Sequence, residues 1–338
     1  MEILYLGQRR GTSRMRALAL RRLGHDVYTV DPYSFVGHSR VVNKWIHETG
    51  GLFLERFVSH SVLREIGDDL FDVVWVDGGE LIGPALLREL KQRCRRVVNY
   101  NHDDPFGAYR SKWRLYAKSL PYYDLAAVVR EPNIEEATRR GAAKVSLVYR
   151  SADEVAHAPR PITDADRQRW ASDVVFIGVW MPERGPFMAE LVSRQVPLAI
   201  YGDRWQKAKE WPILKPHWRG PGLNHADDYA KAVQCAKICL GLLSKGNRDL
   251  HTTRSVEIPY LGGLLCAERT AEHTYLYKDG EEALFWNDAA ECAERCNFLL
   301  RNEEQRQKIA RAGRERCLRN GYTSERVMRG ILDTVLKG

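Results

Sequence analysis

Residues 245–268 read KGNRDLHTTRSVEIPYLGGLLCAE. The order is a polar loop, a short helix expected to stop at Pro259 and the pair Gly262-Gly263, and then an apolar strand. Lys245, Arg248, Asp249, His251, Arg254 and Glu257 lie along this path. A helix running into Gly-Gly and a buried strand is ordinary packing. Two arginines and a lysine close to an acid on such an element are less ordinary. Cations there can neutralise a diphosphate, and the acid can accept hydrogen bonds from sugar hydroxyls. That chemistry suits a nucleotide-sugar site.

The rest of the chain supplies the frame for this segment. It has 338 residues, enough for two cores, with 44% hydrophobic and 28% charged content, which excludes a disordered chain. No apolar run approaches the length of a membrane span, and the start MEILYLGQRR lacks the pattern of a signal peptide. Seven scattered cysteines, an odd number, favour reduced thiols and a cytoplasmic setting over a disulfide framework. Cys235/Cys239 and Cys292/Cys296 are each four apart, so each pair is expected on one helix face as buried core rather than as a metal site. The net charge of +8 is spread without a basic tail, which disfavours nucleic acid. Anionic lipid headgroups, anionic glycans or a diphosphate substrate fit that charge equally, so peripheral contact with a membrane is compatible with it.

Short apolar runs alternate with helical segments from Ile3–Leu6 to Val145–Val148, and residues 38–66 read as helical with a break at Gly50-Gly51. The pattern restarts at Val174–Ile177 after a polar, Pro-containing stretch, 151–172, read as a linker. This predicts an α/β protein with two Rossmann-like, doubly wound domains, 1–158 and 172–322, and a last helix within 323–338. Ligands of such sheets sit beyond the carboxyl ends of strands, here expected in a cleft between the domains.

The loops after strands therefore carry the candidates. GQRRG, residues 7–11, offers Gly7 and Arg10, with a plain turn as the competing reading. VDGGELIG, 76–83, offers Asp77 and Glu80. NYNHDDPF, 99–106, places His102, Asp103 and Asp104 just past a buried strand, where a general base is held close to its target; an Asp-Pro turn is the alternative. Arg130 follows another strand. In the second half, FIGVWMPERGP places Gly178 at a strand end and Arg184 within reach of a phosphate. IYGDRW repeats the logic with Gly202, and its Trp205 reads as core sooner than as a base-stacking residue. Asp249 and Glu257 are eight apart, the first in the loop and the second in the helix.

HTTRSVEIPYLGG, AERTAEHTYLYKDGEEALFW and LLRNEEQRQKIARAGRERCL resemble glycosyltransferases of the GT-B fold, and most closely the subgroup named for CgeB-type spore maturation proteins. The N-terminal ILYLGQRRGTSRMRALALRRLGHDV and NHDDPF are similar to that group's first domain. The resemblance implies a donor held by the C-terminal domain, an acceptor held by the N-terminal one, and a last helix packed on the first domain. Related retaining enzymes carry a Glu-x7-Glu motif, whose second acid binds the donor ribose. Glu257 matches the second acid and Asp249 the first, with Asp in place of Glu. Gly178, Arg184, Lys245, Arg248, His251, Thr253 and Arg254 are then donor contacts, and Gly7, Arg10, His102, Asp104 and Arg130 face the acceptor or the cleft. Asp103, with Glu80 second, is the base of an inverting reaction, and Asp249 completes the catalytic set.

The expectation is a glycosyltransferase of the hexosyl-transferring kind. It would use a UDP- or TDP-type sugar nucleotide with no metal or other cofactor, on a glycan, lipid, protein or small-molecule acceptor. A nucleotide-sugar epimerase of the same fold and an inactive sugar-nucleotide or glycan binder are the rival readings.

Overall fold

The computed structural model describes residues 1–37 and 39–337; His38, where the helical stretch 38–66 was expected to begin, lies outside them. The chain divides into two units. The first combines Met1–Tyr149, Gly246–Arg248 and Ser324–Gly338, and the second Arg150–Lys245 and Asp249–Thr323.

In the first unit β1 (Glu2–Leu6), β2 (Asp26–Val30), β3 (Phe71–Asp77), β4 (Cys94–Asn101), β5 (Leu125–Val128) and β6 (Val145–Leu147) form one sheet in the order β2-β1-β3-β4-β5-β6. Every pair is parallel, with Leu4 beside Tyr28 on one flank and Val74 on the other. Parallel strands need crossovers, and helices cover both faces, so the central strands β1 and β3 are apolar over most of their length. The two-residue period sorts them. Leu4, Leu6, Val74 and Val76 pack with Val58, Val62 and Leu86. Ile3, Tyr5, Val73 and Trp75 pack with Ala17, Leu20 and the helix Ser324–Leu336, through Met328, Ile331, Leu332 and Val335. Each such buried side chain contributes about 1.5–3 kcal/mol.

In the second unit β7 (Ser172–Ile177), β8 (Leu198–Tyr201), β9 (Trp218–Gly220), β10 (Ala236–Gly241), β11 (Leu265–Glu268) and β12 (Leu284–Trp286) give the order β12-β11-β10-β7-β8-β9, again parallel. The chain leaves β7 for β8 and β9, then returns to the other side of β7 as β10. The carboxyl ends of β7 and β10 therefore form the switch point where such sheets bind ligands.

Three local expectations change. The helix Arg254–Tyr260 continues through Pro259. Proline has no N–H for the carbonyl four residues back, and that carbonyl, on Ser255, accepts from the Tyr277 hydroxyl at 2.9 Å instead. The helix stops at Gly262, whose φ of +87° suits glycine, while a Cβ on Gly263 would lie 2.8 Å from Val233. Residues 151–172 are not an open linker. They belong to the second unit and contain the helix Asp164–Trp170, started by a reciprocal Thr163–Asp166 capping box. Cys235 and Cys239 do not share a helix face, because the helix Ala226–Gln234 ends before Cys235 and Cys239 lies in β10. Among the described residues, no helix is long and apolar enough to cross a membrane.

Candidate functional site

The second unit concentrates the donor-site candidates at the ends of β7 and β10. Gly178 follows β7 and Gly202 follows β8, and the two loops touch. A Cβ on Gly202 would fall 1.9 Å from the Gly178 carbonyl oxygen. That carbonyl accepts from the Trp205 indole at 3.0 Å, so Trp205 is a fully buried core residue that staples the loop. Arg254 reaches the same strand end, its Nε donating to the Ile177 carbonyl at 3.4 Å. Its Nη1 donates to Glu257 Oε2 at 2.5 Å and to Thr253 Oγ1 at 3.4 Å, and the guanidinium lies 4.6 Å from the centre of the Tyr229 ring. The Arg254 side chain keeps 33% of its surface, against 2% for Glu257.

Glu257 is held on three sides. Besides Arg254, the Tyr229 hydroxyl donates at 3.0 Å, and His157 Nε2 stands 3.4 Å from Oε1. His157 Nδ1 accepts from the Asp153 N–H at 2.8 Å, which leaves the ring proton on Nε2, facing Glu257. Burial pushes the Glu257 carboxyl up, but Arg254, His157 and Tyr229 together hold it below its ordinary range. Burial likewise works against the Arg254 cation, and Tyr229 and Glu257 outweigh it, so both groups are ionised.

Arg184 is committed to the backbone. It donates to the carbonyls of Val179 (2.7 Å), Leu242 (3.2 Å) and Leu243 (3.1 Å), which ties the loop after β7 to the loop after β10. Lys245 is exposed and paired with Glu268. Both line a cavity of about 370 Å³, together with Phe187, Trp286 and Leu243. Phe187 and Trp286 pack with ring centres 4.5 Å apart.

Asp249, held to Ser244 on the loop after β10, is buried against Arg150 at 3.0 Å. His251 joins the same cluster. Its Nε2 accepts from the Arg150 N–H at 3.1 Å, so Nδ1 carries the proton and donates to Glu272 at 2.5 Å. Burial lowers the His251 pKa against the pull of Glu272.

The first unit holds the remaining candidates. Lys112 Nζ bridges Glu80 (2.9 Å) and Asp103 (3.2 Å). Burial raises the Glu80 pKa, and Lys112 only partly offsets it. Asp104 is fully buried and accepts from Asn133 Nδ2 at 3.0 Å, from the Phe106 and Gly107 N–H groups, and from Arg248. Arg248 also pairs with Glu136 at 2.9 Å. Arg16 forms a buried bidentate pair with Asp77, 2.7 and 2.8 Å, and its Nη2 lies 3.3 Å from His102 Nδ1. A guanidinium only donates, so His102 accepts there and a neutral ring keeps its proton on Nε2. Arg130 donates to the His102 carbonyl at 3.4 Å. Gly7 is packed so closely that a Cβ would lie 2.6 Å from the Tyr5 ring, whereas Arg10 is exposed.

The structure thus brings Gly178, Thr253, Arg254 and Glu257 together, and separately Asp103 with Glu80. Among the described residues, Asp249 pairs with Arg150 and Ser244. Sequence reading missed Tyr229, His157, Arg150, Lys112 and Arg16, none of which stands in a telling motif. It also missed that Cys266 joins Cys292 and Cys296, the three sulfurs lying within 4.8 Å of one another in the core.

Residues 184–333, the segment carrying Lys245, Arg254 and Glu257, match a family model described as "Glycosyl transferase-like". No curated protein matches the sequence. Solved structures share the fold. Anabaena HepE in complex with UDP-glucose is 12% identical with a TM-score of 0.69, over 100% of both chains. Sucrose-phosphate synthase from Thermosynechococcus elongatus is 14% identical with a TM-score of 0.70, over 100% of this chain and 98% of that one. An alpha-glucosyltransferase in complex with UDP-glucose and DNA containing an abasic site is 12% identical with a TM-score of 0.70, over 99% of each chain. The two parallel sheets are those of the GT-B architecture. With the family match, they define the class of this protein as a glycosyltransferase.

Proposed function

We propose that this protein moves a sugar from a UDP- or TDP-type sugar nucleotide to an acceptor hydroxyl without a metal ion, as a CgeB-type member of its class. The observation that carries the reading is Arg254, a charged and partly open guanidinium fixed by Glu257 at the end of β7. In the transfer the bond between the anomeric carbon and the diphosphate oxygen breaks, and the acceptor oxygen bonds to that carbon. The nucleoside diphosphate leaves with the extra negative charge. A preorganised guanidinium aimed at that charge stabilises an oxocarbenium-like transition state, with Lys245 as a second cation. Glu257 spends three of roughly four lone-pair sites on Tyr229, Arg254 and His157, which leaves one for a ribose hydroxyl. On an inverting course the acceptor proton passes to Asp103.

The test is a melting-point panel of sugar nucleotides followed by turnover with the best ligand, with and without a chelator. Expected are a raised melting point with a UDP- or TDP-sugar, release of the nucleoside diphosphate, and unchanged turnover with chelator. A sugar nucleotide converted to its epimer identifies the epimerase instead. Binding without turnover under every acceptor tried identifies a binder.

A further inference from the structure

The first unit contains a second concave surface, whose Trp113 wall has Lys112 Nζ 4.5 Å from its ring centre. Arg110, Ser111, Trp113, Arg114 and Arg140 wall a cavity of about 560 Å³, with Phe106 among them. No carboxylate lines it. Among the described residues, none of Arg110, Arg114 and Arg140 has a carboxylate partner. The acids near them are already engaged. Asp104 and Glu136 take Arg248, Asp103 and Glu80 take Lys112, and Glu135 takes Arg139. Arg140 is pinned by the Glu136 carbonyl at 2.9 Å and lies over the Phe106 ring at 4.4 Å, contacts that fix its plane and leave its charge uncompensated. The Trp113 indole N–H is buried with no hydrogen-bond partner among the described residues.

Three exposed arginines border one hollow, and guanidinium forks match phosphoryl oxygens two at a time. Apolar walls beside them suit the organic part of the same molecule. We propose that this pocket binds a phosphoryl group carried by the acceptor, either on a soluble phosphate ester or in the headgroup of an anionic lipid. Binding at the pocket stands on its own; its assignment to the acceptor rests on the glycosyl-transfer reading.

The test measures binding in the absence of any sugar nucleotide, so that a failed donor assay does not decide it. Two probes are used at low salt: glycerol 3-phosphate by calorimetry, and vesicles of phosphatidylcholine with and without phosphatidylglycerol by co-sedimentation. The variants are Arg110→Gln, Arg114→Gln and Arg140→Gln, singly and together. A control, Lys207→Gln with Lys209→Gln and Lys215→Gln, removes the same charge from exposed positions of the second unit. Expected is binding of at least one probe, weakened about tenfold or more in the triple Arg variant and held in the control. Glycerol 3-phosphate binding identifies a soluble ester, and binding to phosphatidylglycerol vesicles alone identifies a headgroup. No binding of either probe by the parent, equal binding by the Arg variants, or equal loss in the control overturns the proposal. The single variants keep the comparison readable if the triple variant misfolds.

Discussion

Arg248 closes on Asp104 with two hydrogen bonds, Nε to Oδ2 at 2.6 Å and Nη2 to Oδ1 at 2.8 Å. Arg248 does so from a left-handed backbone, φ +48°, a conformation that costs a non-glycine residue free energy and persists because its contacts demand it. The Asp104 carboxyl is raised by burial, but the bonds from Arg248 and Asn133 hold it below its ordinary range. Arg248→Ala should cost about 1–2 kcal/mol in urea unfolding, the lower end for a charged hydrogen bond because its side chain is 39% exposed. A variant as stable as the parent removes this structural role.

Arg254 makes a different prediction, because among the described residues Glu257 is its one carboxylate partner and a third of its side chain stays open. Arg254→Ala should weaken nucleoside diphosphate binding by about 1.5–3 kcal/mol, and Arg254→Lys by less, since lysine keeps the charge and loses the fork. Calorimetry with UDP measures both. Parental affinity in the alanine variant would falsify the donor role.

Gly202 is required by the approach of the loop after β8 to the loop after β7. Gly202→Ala places a carbon 1.9 Å from the Gly178 oxygen, which is backbone and cannot step aside alone. The expected loss is about 1–3 kcal/mol of stability, read from the denaturation midpoint. Gly280→Ala tests positive φ alone, because nothing lies within 4 Å of a Cβ there.

Acid should destabilise the second unit through His273. Its Nδ1 donates to the Glu268 carbonyl at 2.6 Å, so Nε2 accepts from the Ser255 hydroxyl at 2.7 Å. Burial, against the pull of the Glu268 carbonyl, lowers its pKa to about 4. The folded value lies below the unfolded one, so the unfolded chain binds the proton that the folded site refuses. The contribution is complete above the unfolded pKa of about 6.5 and is lost as pH falls from there through about 4, up to about 3 kcal/mol. His273→Gln should flatten the urea-measured stability profile across that window; an unchanged slope rules the residue out.

Much of the fold is legible because parallel strands covered on both faces must be continuous apolar runs, as in ILYL and VVWV. The strand β11 could be read for the same reason, with glycines marking its joint to the helix Arg254–Tyr260, which runs on through Pro259. The site was legible only where a strand end carried a glycine or a cation. Arg254 and Glu257 could be singled out three residues apart on one helix, but Tyr229 and His157 come from remote segments that only folding brings to Glu257. Arg184 looked available for phosphate because sequence does not show which carbonyls lack donors, and three of them claim it.

The first unit is assembled from pieces at opposite ends of the polypeptide, with Ile3 and Tyr5 sharing a core with Ile331 and Leu332. A ribosome must therefore release nearly all of this chain before that core can close, and the half-made molecule carries a bare sheet face in the meantime. Residues 324–336 act as a late latch, so a nonsense mutation just upstream of them strips the cover from strands made about two to three hundred codons earlier.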